Sequence, residues 1–197
     1  MRQYAWIMIL LLINACSNNK KEEAVPQPQQ TAGNAAEEKP NFIRVTSFIK
    51  GEIASIKNSF RNPIKYTTVN EHTDSAFLKF EDLDVQFKEF IQPMIDSANL
   101  SPFFTETKFV DQSINSITFT YDPKMQLPDS IPLRHWDVYV DPETGNIIRV
   151  YMVKKASGNK TLQLTWEKGK SCSTRTLANN AAGNMSVEKE EKILWDY

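Results

Sequence analysis

Cysteine and histidine are almost missing from this chain, with two of each among 197 residues. Two cysteines cannot make a disulfide framework, so packing must carry the stability. His72 and His135 have no HExxH, CxxC or carboxylate–glycine calcium loop around them. No metal and no cofactor is therefore expected. A GxSxG and a glycine-rich phosphate loop are absent too, which removes the basis for naming a reaction. Neither sign of charge is in excess, because 23 basic and 24 acidic side chains leave a net charge of −1. A nucleic-acid partner calls for a basic surface, so that class is set aside. The apolar run "YAWIMILLLI", Tyr4 to Ile13, is ten residues long. A bilayer-spanning helix takes about 20.

What that run does fit is an export signal. Arg2 supplies the basic start, the run the apolar middle, and Ala15 the small residue before a cut. "INAC" (Ile13, Asn14, Ala15, Cys16) resembles the lipobox of bacterial lipoproteins, although Asn14 departs from the small or alkyl residue usual at its place. The resemblance implies that Cys16 is acylated on sulfur, becomes the new N-terminus and gains a further acyl chain. More than one chain is what stable anchoring needs. Residues 17–40 hold no aromatic residue and only Val25 as a large aliphatic, so they cannot offset their ordering entropy. The expected organisation is a signal peptide over 1–15, lipidated Cys16 with a disordered tether over 16–40, and one domain over 41–197. "KKEE" (Lys20 to Glu23) resembles the tags that direct some Gram-negative lipoproteins to the cell surface, and Ser17 stands where a retaining Asp would hold a lipoprotein at the inner membrane. The outer membrane of a Gram-negative bacterium is the expected location, on its periplasmic or its exposed side.

In the domain, Phe42, Val45, Ile49, Ile53 and Ile56 recur at helical spacing, with Asn41 placed to cap. A second helix is predicted from about Glu81, with Leu83, Phe87, Phe90, Ile91, Met94 and Ile95 on one face and Pro93 kinking or ending it. Beyond Pro102 the period changes to two, in "SITFTY", "HWDVYVD", "NIIRVYMVKK", "KTLQLTWEK", "KSCSTRTL" and "KILWDY", joined by short turn segments. These features predict an α+β fold, two N-terminal amphipathic helices packed on one face of an antiparallel β-meander. An all-apolar face requires Val140 opposite Ile148, Val138 opposite Val150 and Trp136 opposite Met152, with a bulge near Gly145. By the same logic Cys172 lies opposite Trp166 as a small core residue.

The other sheet face holds the candidate binding residues. His135, Asp137, Tyr139 and Asp141 alternate along one strand, Arg149 and Tyr151 join them across the hairpin, and Thr161, Gln163, Thr165, Ser173 and Arg175 continue the face. Strand neighbours two apart point out in parallel, roughly 7 Å from one another, which does not by itself make a catalytic cleft. "DVYVDPETGNIIRVYMV" (Asp137 to Val153) resembles the closing hairpin of PepSY-type domains, exported modules associated with inhibiting or regulating partner proteins. The combined expectation is a lipid-anchored envelope lipoprotein with a non-catalytic binding module for an envelope protein or polymer. Two alternatives stay open: an envelope enzyme using His135 and Asp137, and a carrier of a small apolar ligand between helix and sheet.

Overall fold

A computed structural model describes residues 41–59, 61–179 and 184–196. The expected signal peptide, Cys16 and the expected tether lie outside the described residues. Those that are described belong to one unit, Glu38–Tyr197.

The architecture is predominantly β, which overturns the two-helix α+β expectation. Among the described residues nine antiparallel strands form one sheet in the order β2-β1-β9-β8-β7-β6-β5-β4-β3. They are β1 (Ile64–Val69), β2 (His72–Phe77), β3 (Phe104–Asp111), β4 (Ser116–Pro123), β5 (Leu133–Val140), β6 (Ile147–Ala156), β7 (Lys160–Glu167), β8 (Ser171–Asn179) and β9 (Met185–Leu194). Of these strands β1, β2 and β3 carry no clear period-two signal, and β9 takes in only "KIL" of the expected "KILWDY", with Trp195 and Asp196 beyond its end. In β1 and β2, "IKYTTV" and "HTDSAF" pair through a tight turn in which Asn70 and Glu71 both take positive φ. The hairpin then docks on the far side of β9, Ile64 opposite Leu194 and Val69 opposite Lys189. The third, β3, alternates polar and apolar residues weakly because it lies at the other edge.

Helical structure is limited. The α1 helix (Val45–Lys57) buries Val45, Ile49, Ile53 and Ile56, and its N-cap is Arg44, without a side-chain capping bond. Among the described residues no second amphipathic helix of comparable length forms. The stretch assigned to it breaks into one-turn pieces, α2 (Leu83–Gln86) and α3 (Lys88–Ile91), followed by α4 (Ser97–Leu100). Residues 78–103 must run from the β2 edge to the β3 edge, across eight strand gaps of about 4.8 Å, roughly 38 Å in all. The length of the crossing does not account for the break, since a continuous helix over residues 78–103 would span about 39 Å. Gln92, before Pro93, is extended at φ −127° and ψ 136°, as the proline ring requires of its predecessor, and α3 ends there. Met94 consequently turns outward, 51% exposed, while Leu83, Phe87, Phe90 and Ile95 stay buried.

Two aromatic groups anchor this layer. Phe42 meets Tyr121 edge-on at 4.9 Å, Tyr121 stacks on Trp136 at 4.4 Å, and Phe104 meets Trp136 at 4.7 Å. Toward the other end, Phe87 and Phe90 stand edge-on to Trp166 at 5.2 and 5.3 Å, and Trp195 lies 5.1 Å from it. Such ring pairs each add about 0.5–1.5 kcal/mol beyond their area burial. Lys154 is the charged exception on this face, with its side chain 4% exposed. Its ammonium donates to Glu89 Oε2 at 2.6 Å and to the carbonyls of Glu89 and Gln92 at 2.7 and 2.6 Å. Three donors thus meet three acceptors at the open C-terminal end of α3, where carbonyls would otherwise lack partners.

The register follows the apolar pairing, with one correction. Val138 faces Val150 and Trp136 faces Met152, but Val140 faces Ile147. Ile148 is the extra residue of a bulge between Tyr139 and Val140, and it is turned outward, 37% exposed. The turn before it is built by Asp141, whose Oδ1 accepts the Glu143 and Thr144 N–H groups at 2.8 and 2.9 Å. Gly145 takes φ +69°, a left-handed conformation that glycine tolerates without a Cβ clash. Asp141 is therefore a turn residue and leaves the row formed by His135, Asp137 and Tyr139.

Candidate functional site

The sheet face opposite the core carries the candidate polar residues. Helices α1 to α3 bury their apolar side chains in the core on the other side, so no described helix covers it. Across it, the paired positions Thr120, Asp137, Tyr151, Thr165, Ser173 and Lys192 form one row. A second row runs Tyr139, Arg149, Glu167, Ser171.

His135 is bound on both ring nitrogens. Nδ1 lies 2.8 Å from Asp122 Oδ1 and Nε2 lies 3.0 Å from Asp137 Oδ2. Asp137 also accepts the Thr120 hydroxyl at 2.6 Å. Carboxylates only accept, so both nitrogens must donate and the ring is an imidazolium. The hydrogen bond to Asp137 and that to Asp122, with their charges, outweigh the opposing effect of burial and raise the His135 pKa from 6.5 to about 9. Burial pushes the Asp137 carboxyl up, but the bonds from His135 and Thr120 outweigh it and hold it below its usual value. A general base needs a free lone pair, and a general acid at neutral pH a pKa near 7. Held between two carboxylates, His135 offers no free lone pair, and its proton is bound more tightly than that of an ordinary histidine.

Beside it, the Arg149 guanidinium lies over the Tyr139 ring, 3.9 Å from its centroid, because the two are cross-strand partners. Tyr151 stands edge-on to His135 at 6.2 Å, and its hydroxyl is pushed up by burial and by the charge of Asp137. His135, Asp137, Tyr139, Arg149 and Tyr151 are thus brought together. Arg175 stands at the margin, two strand gaps from β6, roughly 10 Å: its Nε pairs with Glu190 at 3.2 Å, while its charge opposes the rise at Tyr151. His72 is more distant still, exposed on edge strand β2 beside Asp74.

Tyr139 and Arg149 also wall an open cleft of about 350 Å³ with Ile114, Ile148, Glu167, Lys168 and Lys170. Ile148 reaches it only because of the bulge. The period-two pattern does not single out Asp122, Thr120 or the turn residues 114, 168 and 170. A signal for the first two exists: pairing Phe119 with Val138 to keep one face apolar puts Thr120 opposite Asp137 and carries Asp122 to His135. The turn residues give none, because their convergence depends on which hairpins end side by side.

Cys172 is buried opposite Trp166, and burial pushes its thiol well above the usual range. Among the described residues no group of three or more His, Cys, Asp or Glu is placed to hold a metal ion, and no helix is long and apolar enough to cross a membrane. Comparison with known protein families, curated proteins and solved structures returned no match.

Proposed function

We propose that this chain is a lipid-anchored lipoprotein of the Gram-negative outer membrane whose domain is a non-catalytic binding module. The partner is an envelope protein or polymer that meets the open polar face around Tyr139, Arg149 and Tyr151. The carrying observation is a broad sheet face with no described helix over it, whose histidine is locked between two carboxylates. Such a face offers charge, hydroxyls and aromatic edges for recognition, but no group poised to transfer a proton. The lipobox resemblance at Cys16 and the hairpin's resemblance to PepSY-type domains point the same way. The carrier alternative is disfavoured where Phe87 and Phe90 already fill the space against Trp166.

The test has two arms. Labelling with a palmitate analogue and membrane fractionation should show label and outer-membrane residence for the natural chain, and neither for Cys16→Ala. Affinity capture from solubilised envelopes should enrich a partner that Arg149→Ala together with Tyr139→Ala loses. A Cys16→Ala chain that stays labelled and membrane-bound removes the anchor, and a captured set unchanged by the double substitution removes the polar face as the binding surface.

A further inference from the structure

We infer that edge strand β3 pairs with itself, so that two copies of this chain join their sheets across a two-fold axis at Thr107. This stands on the sheet edge and is independent of the polar face. Among the described strands β3 has one neighbour, β4, so its other side presents backbone N–H and C=O groups that no described strand pairs. Residues Thr105 to Val110 are exposed, among them Phe109 at 50% and Val110 at 64%. Exposed apolar side chains on an open edge invite another strand, and natural edges counter this with charge. Here the charges are Glu106 and Lys108, two residues apart on one face, with the Lys108 ammonium 5.3 Å from the centre of the Phe119 ring.

Their spacing selects one register. Antiparallel pairing about an axis perpendicular to the sheet keeps both helix layers on the same side, as a two-fold dimer requires. With the axis at Thr107, Glu106 lies opposite the second copy's Lys108, and the reverse contact repeats it. Val110 then faces the second copy's Phe104, and Phe109 faces Thr105. Moving the axis one residue either way sets Glu106 against Glu106, or Lys108 against Lys108, which is destabilising. The opposite edge, β2, reads "HTDSAF" and has no lysine or arginine to place against Asp74. Charge complementarity therefore favours β3 against β3 over the other edge pairings.

Sedimentation velocity on residues 17–197, which leave out the apolar leader and the acylated cysteine and keep the whole folded unit, tests this across a wide concentration range. The parent should show a monomer–dimer equilibrium. Lys108→Glu alone and Glu106→Lys alone should each raise the dimer Kd by about tenfold or more, because each turns both attractive pairs into repulsive ones. Mixing the two variants should restore a dimer containing one copy of each, since one strand then presents two carboxylates and the other two ammonium groups. That recovery cannot come from a folding defect. A parent that is monomeric throughout, a dimer indifferent to both reversals, or a mixture that stays monomeric overturns the inference.

Discussion

Raising the pH through the alkaline side of neutrality should unlock the Asp122–His135–Asp137 cluster. The folded pKa of His135 is raised from 6.5 to about 9. Its contribution to stability is therefore complete below about pH 6.5 and is lost as the pH rises through about 9. One pKa unit corresponds to about 1.4 kcal/mol, so a shift of this size corresponds to roughly 3 kcal/mol for a fully enclosed ring. The His135 side chain is 27% exposed and that of Asp122 59%, and solvent screening brings the expected effect to about 2 kcal/mol. Urea unfolding at about pH 6 and about pH 9 should show the natural chain losing that amount. His135→Gln should be less stable by about the same amount at the lower pH and nearly flat between the two. An independent check is the nitrogen resonances of the His135 ring, which should report two protonated nitrogens at neutral pH. A natural chain equally stable at both pH values, or a neutral His135 ring at pH 7, would refute the double carboxylate clamp.

Two further outcomes follow from buried groups. Lys154→Met keeps the apolar stem but leaves the Glu89 and Gln92 carbonyls without their donor, and should cost about 2–4 kcal/mol in urea unfolding; a loss below about 0.5 kcal/mol would mean that water reaches them. In a Cys16→Ala chain, the thiol of Cys172, 2% exposed, should react with a maleimide only after unfolding, and rapid labelling of the folded protein would contradict its place against Trp166.

The strands from β4 to β8 were legible because their side chains alternate in character along the sequence, and in β5 to β7 a one-residue slip would turn a buried face to water. Trp136, Val138 and Val140, Val150 and Met152, and Leu164 and Trp166, each set at every second position, announced β5 to β7 and their partners. Where burial is slight, the pattern carries little information: β2 is exposed along its whole length and β3 along six of its eight residues. The second helix failed for a different reason. Leu83, Phe87 and Phe90 do have helical spacing and are buried, but the backbone leaves helical geometry at Phe87 and again at Gln92, before Pro93. Local periodicity describes a face and does not show where a helix is interrupted.

The polar site divides along the same line. Alternation placed His135, Asp137 and Tyr139 on one strand face, and the apolar register brought Arg149 and Tyr151 beside them. Whether His135 is a proton shuttle or a fixed cation depended on Asp122 and Asp137 reaching its two nitrogens at once, through three dimensions. By itself the sequence determined which residues of β5 to β7 share a face outside the bulge, because that follows from the two-residue period of a strand. Only the tertiary structure decided the nine-strand order, the outward turn of Ile148 and the charge state of His135, because each depends on contacts between segments whose spacing along the chain does not specify them.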